Sequence, residues 1–170
     1  MVFPVLMLAA SSSVPVASTS RSAPVCRANQ LELSLDGRDG DFGGMSHAGT
    51  ELAIRNKGGD CIIAALPKIQ FLDRRHRVLP ATRTAPVGMH PGPVMLPVRI
   101  AAGHRAVTDL RWVSGPVFPQ NRLARAALLA LTIEGRMIRV RIAAALYGAA
   151  GKPFGFQQTP LRPVEGMAAN

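Results

Sequence analysis

Apolar and polar residues alternate with a period of two along much of the chain, and that alternation predicts strands. Leu31, Leu33 and Leu35 are separated by Glu32 and Ser34, as in a half-buried strand, where successive side chains point to opposite faces. The rhythm returns at Leu52 and Ile54, at Ile69 and Phe71, and over residues 107–113 (VTDLRWV), where Leu110 and Trp112 share a face. Between the Leu52 and Ile69 segments, Asn56-Lys57-Gly58-Gly59-Asp60 supplies residues that tolerate a positive φ, so the chain can reverse. The Ile69 segment stops at a charged tip, Asp73-Arg74-Arg75-His76-Arg77, and Val78-Leu79 begins the return.

Residues 85–97 carry Pro86, Pro91, Pro93 and Pro97, which excludes a helix and a central strand. Val94, Leu96, Val98 and Ile100 still alternate, so an edge strand is expected there. Residues 121–142 read in two ways. The run RLARAALLAL has helix-forming composition. However, Leu129, Leu131 and Ile133 alternate into Glu134-Gly135, and Ile138, Val140 and Ile142 alternate out of it. That is a hairpin signature, and a hairpin is the favoured expectation, with Arg139 and Arg141 on its solvent face. A last short strand is expected near residues 157–161. Seven to nine short strands with turns between them, and no long helix, predict an all-β fold: one antiparallel two-sheet β-sandwich over residues 26–163.

Composition refines this picture. The 170 residues suit one domain, and with 48% apolar but 5% aromatic residues the core must be mostly Leu, Ile, Val and Ala. Twenty Lys and Arg against ten Asp and Glu give a net charge of +10, which invites an anionic partner. The arginines are scattered and few aromatics are present to stack bases, so no nucleic acid is expected. The N-terminus reads as a signal peptide over residues 1–18: an apolar run from Val2, then Ser11-Ser12-Ser13 and small residues around Ala17. Pro4 interrupts the run and no Lys or Arg precedes it, so a disordered tail is the alternative. Residues 19–25 read as a linker and 164–170 as a C-terminal tail. No other stretch approaches the ~20 apolar residues of a membrane span, so the mature chain should lack a transmembrane segment. Cys26 and Cys61 have no C-x-x-C spacing. In an oxidising compartment they would join, closing a loop worth ~3–4 kcal/mol; in the cytosol they would be two buried thiols.

Cys26 stands before the strand Leu31–Leu35, Asn56-x-Gly58 precedes Cys61, and Leu66-Pro67-x-Ile69-x-Phe71-Leu72-Asp73 follows. Gly103-x-x-Ala106 and Leu110-x-Trp112 come later. In these motifs and their spacing the chain resembles the secreted bacterial family known as domain of unknown function 4232. The chain departs from the family in lacking a second cysteine pair, in having Ala102 where a turn proline is usual, and in having Ala65 where glycine is common. The resemblance implies an immunoglobulin-like sandwich, export to the periplasm or medium, and a Cys26–Cys61 bridge. It implies no activity.

Candidate chemistry is sparse. Gly44-Met45-Ser46-His47-Ala48-Gly49 misses the nucleophile elbow by one position, and that elbow needs a strand running into a helix. Gly148-Ala149-Ala150-Gly151-Lys152-Pro153 is too short for a phosphate loop and has proline where Ser or Thr should hold magnesium. Asp36, Asp39 and Asp41 could offer oxygen to calcium but fit no calcium-loop spacing. Met45, His47, Met89, His90 and Met95 are soft ligands in two loops, which makes periplasmic copper(I) carriage the alternative function. Otherwise no cofactor is expected. Arg136, Arg139 and Arg141 form an arginine ladder that could meet an acidic polymer. The first expectation is therefore an exported, non-enzymatic domain that binds an anionic cell-envelope component or a partner protein.

Overall fold

Strands supply most of the regular structure in residues 23–84 and 95–164, the part of the chain that the computed structural model describes. They are β1 (Leu31–Asp36), β2 (His47–Asn56), β3 (Cys61–Ile63), β4 (Lys68–Leu72), β5 (Ala81–Arg83) and β6 (Val98–Ile100). Then come β7 (Arg105–Val113), β8 (Asn121–Ile133), β9 (Arg136–Ala149), β10 (Phe154–Gln158) and β11 (Arg162–Val164). No α-helix occurs among the described residues. One sheet runs β1-β2-β7-β10-β5, with β11 also paired to β7; β4-β8-β9 form the second sheet, and β3-β6 a two-stranded ribbon. Every pairing is antiparallel except β5 with β10, which is parallel. The chain is an all-β sandwich. Its eleven strands exceed the expected seven to nine because strands such as β3, β5 and β11, of three residues each, are too short to show a period.

Register explains where the core lies. Leu52 stands opposite Thr108 and Ile54 opposite Ala106, so the alternation of β2 and β7 puts both apolar rows on one face. The second sheet meets them with Ile69, Phe71, Leu129 and Leu131, all buried. Phe71 crosses the interface and packs edge-on against Trp112 at 5.7 Å and Phe156 at 5.3 Å between ring centroids. Each such side chain contributes about 1.5–3 kcal/mol of burial, so this aromatic trio compensates for a core otherwise built from aliphatics.

The hairpin reading of residues 121–142 holds, and the structure shows why the sequence was ambiguous. β8 is strand throughout, paired to β9 along its length. The register shifts once: Ala126 pairs with Ala144 and Leu128 with Arg141, so Ile142 and Ala143 stand opposite Ala127. Across this shift the buried set on β8 changes parity, from Ala126 to Leu129, Leu131 and Ile133. Ala126, Leu129, Ala130 and Ile133 are consequently all buried at helical spacing, although the backbone is extended. A β-bulge has imitated a helix.

Other expectations are corrected. Of the edge strand expected from Val94, which lies outside the described residues, Val98–Ile100 is strand while residues 95–97 are not, and Leu96 is 75% exposed. The Asn56–Asp60 turn does not fold β2 back onto a neighbour; it carries the chain to β3, which pairs with β6. The late strand starts at Phe154 and ends at Gln158, earlier than expected. Cys26 and Cys61 form a disulfide with Cα atoms 4.8 Å apart and both residues fully buried. Beside it the Cys26 N–H donates to the Ile62 carbonyl at 2.9 Å, so the entering chain runs alongside β3. The signal peptide over residues 1–18, Met89 and His90 lie outside the described residues, as do most of the linker and of the tail.

Candidate functional site

The two sheets carry very different charge. β4, β8 and β9 contain Lys68, Arg122, Arg125, Arg136, Arg139 and Arg141 and no Asp or Glu. The other sheet mixes both signs. Glu51 and Asp109 sit side by side on β2 and β7, where two carboxylates would repel. Arg38 reaches Asp109 at 2.6 Å and Glu51 at 3.7 Å, and Arg162 reaches them at 3.5 and 3.1 Å. Elsewhere Asp60 pairs with Arg99, and Lys57 with Glu32 at 3.8 Å. Thus β4, β8 and β9 carry cations alone, whereas the other sheet combines acids with cations, among them Arg55, Arg105 and Arg111, which are in no ion pair among the described residues.

Residues in register share a face, which places each of these cations. Across β4-β8-β9 the rows Lys68-Thr132-Met137, Gln70-Ala130-Arg139 and Leu72-Leu128-Arg141 alternate with the rows through Ile69 and Phe71 and form the outer face, on which Ala130 and Leu72 are themselves covered. Lys68, Arg139, Arg141 and, beyond the shift, Arg125 are exposed. No carboxylate lies within ion-pair distance of any of them among the described residues. Arg136 departs from the expected ladder. It pairs with the buried Ile133 across the two-residue turn Glu134-Gly135, so it starts on the opposite face from Arg139 and Arg141, exposed at the hairpin end. Arg122 is engaged differently: its guanidinium lies 4.6 Å from the centroid of the Phe154 ring and donates to the Lys152 carbonyl.

Where the register shifts, the outer face opens into a cleft of about 450 Å³. Ala127, Leu128, Ile142 and Ala143 give it an apolar floor, and Arg141, Arg74 and His76 give it cationic and imidazole walls. Arg74 and His76 come from the tip between β4 and β5, which Asp73 organises. The Asp73 Oδ1 accepts the backbone N–H of Arg75 at 2.8 Å and of Arg77 at 2.9 Å. Its Oδ2 pairs with the Arg77 guanidinium at 2.7 Å. These donors, the Arg77 N–H above all, hold the Asp73 carboxyl below the ordinary carboxylate range. The one carboxylate of the tip is thereby engaged with Arg77. His76 has φ = +61°, an uncommon conformation for a residue with a Cβ.

The remaining sequence candidates are not assembled into sites. Met45 is 95% exposed in the turn before β2, Met95 is 41% exposed ahead of β6, and the His47 Nδ1 lies 3.0 Å from the Met45 carbonyl oxygen. With Met89 and His90 outside the described residues, the copper set is not seen as a cluster. No group of three or more His, Cys, Asp and Glu side chains gathers among the described residues, so Asp36, Asp39 and Asp41 form no calcium cradle. Asp36 instead accepts the Arg38 N–H at 2.8 Å. Ser46 leads into β2 and not into a helix, which removes the nucleophile elbow. Arg74 and His76 were invisible as site residues in the sequence, since only the tertiary fold sets the tip beside the bulge.

The motif Asn56-x-Gly58 proves to be architectural. Asn56 is fully buried; its Nδ2 donates to the carbonyls of Gly59 at 2.8 Å and Ile100 at 2.9 Å. Its Oδ1 accepts from the Gly58 N–H at 2.9 Å and Gln30 Nε2 at 3.1 Å. A Cβ on Gly58 would stand 2.9 Å from Gln30 Cβ, so glycine is required by contact. Residues 26–155 match the model of a family described as Domain of unknown function (DUF4232). The chain belongs to this family. No curated protein and no solved structure matches the chain. Within DUF4232 the disulfide and the Asn56 hub are explained by the fold, and the departure at Ala102 has a local use. The Ala102 N–H donates to Asp60 Oδ1 at 2.8 Å, a bond that the usual proline could not make. No helix among the described residues is long and apolar enough to cross a membrane.

Proposed function

We propose that this protein is an exported, non-enzymatic domain that holds an anionic component of the cell envelope on the outer face of its β4-β8-β9 sheet. The observation that carries the reading is the charge partition: strands β4, β8 and β9 bear six cations and no carboxylate. On the other sheet Glu51 and Asp109 are bridged to Arg38 and Arg162, and at its margin Asp60 is bridged to Arg99. A sheet face is rigid, and its cations act together on a polymer even though each exposed pair contributes only about 0.2–1 kcal/mol. The disulfide supports export, because such bonds persist in oxidising compartments.

The test is co-sedimentation of purified protein with envelope fractions. Arg139 and Arg141 of the outer face, changed to glutamine together with Arg136 at the exposed hairpin end, should reduce the bound fraction severalfold while leaving the melting temperature unchanged, since all three are exposed. Equal binding by the triple variant would remove the basic face from the function.

A further inference from the structure

We propose that the cleft at the β8–β9 register shift is a seat for a phosphate ester, with Arg74, His76 and Arg141 as its ligands. The inference rests on the anion-binding reading above and narrows it from a charged face to one site and one chemical group. Three independent features converge there. First, the cleft draws two guanidinium groups and an imidazole from two different elements, the β4–β5 tip and β9. Guanidinium presents a planar fork of N–H donors that matches phosphate oxygens, and imidazole adds a donor whichever nitrogen carries its hydrogen. Second, Asp73 engages Arg77 and folds the tip, so the tip's own carboxylate does not neutralise Arg74. Third, the backbone is irregular on both sides: the bulge at Ala127 opens the floor, and His76 is held at φ = +61°. Bulges and uncommon backbone conformations recur where a side chain is aimed at a ligand.

The floor decides what kind of anion fits. Ala127, Leu128, Ile142 and Ala143 offer methyl and methylene surface and no side-chain polar atom. A bare inorganic ion would leave that surface unused. An ester places its phosphate oxygens on the three polar side chains and its carbon substituent on the floor, and about 450 Å³ is ample for a glycerol phosphate unit.

The experiment is a titration of the full-length, isotope-labelled protein with glycerol 3-phosphate, followed by amide chemical shifts. The expected result is saturable shifts concentrated at residues 74–76, 127–128 and 141–143. Arg74→Gln and Arg141→Gln should each weaken binding about threefold to fivefold, the upper part of the range for one exposed charge pair, whereas Arg105→Gln, exposed on the other sheet, should leave it within error. His76→Gly relieves the backbone and deletes the imidazole, so weaker binding without loss of stability supports its role as a ligand. Shifts that never saturate, or equal effects of all three arginine variants, overturn the site. A second arm sets glycerol 3-phosphate against phosphatidylglycerol vesicles and against soluble poly(glycerol phosphate). Competition in either case supports the seat and names the phosphate's source, and competition in neither overturns it. The cleft can fail while envelope binding still falls in the Arg136/Arg139/Arg141 variant, and that pattern leaves the broad face intact. Saturation of the cleft with unchanged envelope binding in the triple variant would instead reject the face.

Discussion

Asn56 joins three parts of the chain: the turn before β1 through Gln30, its own turn through Gly58 and Gly59, and the end of β6 through Ile100. It is fully buried, so removing its amide leaves several of these groups without a partner and without water. Asn56→Ala should therefore cost about 2–4 kcal/mol, from the penalty of unsatisfied buried polar groups; urea denaturation measures it, and a loss near zero would reject the hub. Asp60 and Asp73 carry a second prediction. The Arg99 guanidinium, then the Ala102 N–H, hold Asp60 below the ordinary carboxylate range, and the Arg77 and Arg75 N–H groups with the Arg77 side chain do the same for Asp73. A carboxyl whose folded pKa is depressed binds its proton more readily when unfolded. Its stabilisation is present above about pH 4 and is lost as pH falls through the depressed folded value. Denaturation midpoints measured from pH 7 to pH 2 should fall on the acid side, and the fall should be smaller in Asp60→Asn and Asp73→Asn, which start lower.

At the scale of elements, the disulfide fixes the entering chain to β3, a strand of three residues paired with another of three. So short a ribbon has little stability of its own. Reduction should lower unfolding stability by about 3–4 kcal/mol, and iodoacetamide should label neither cysteine in the native, unreduced protein. Leu31–Asp36 was legible because a single face of it meets the core, and Arg105–Val113 in its second half, where Leu110 and Trp112 are buried between less buried neighbours. β8 was only half legible, since its buried positions change parity at Ala127 and mimic a helix. The site divides in the same way. Arg139 and Arg141 follow from alternation on β9, whereas Arg136 does not. The tight turn at Glu134-Gly135, with φ of +47° and +76°, sets it opposite Ile133 on the other face. Arg74 and His76 read as an ordinary solvated tip, because nothing local announces that the β8–β9 bulge, beyond β5, β6 and β7 in sequence, lies beside them.

At the scale of the molecule, the sandwich sorts its acids: one sheet holds a neutral cluster of Arg38, Glu51, Asp109 and Arg162, and the other, β4, β8 and β9, carries cations alone. Folding alone does not require that separation, since interspersed charges would solvate both faces equally well. A face of unopposed cations raises the local concentration of polyanions and speeds their capture. Its attraction is long-ranged and is screened as the Debye length shrinks from ~10 Å at 0.1 M salt to ~3 Å at 1 M. The most direct measurement is the affinity of the folded protein for envelope fractions across that salt range. A steep fall in affinity with salt, flattened in the Arg136/Arg139/Arg141 glutamine variant, is the predicted result. An affinity that is the same at 0.1 M and 1 M salt, in wild type and variant alike, would contradict it.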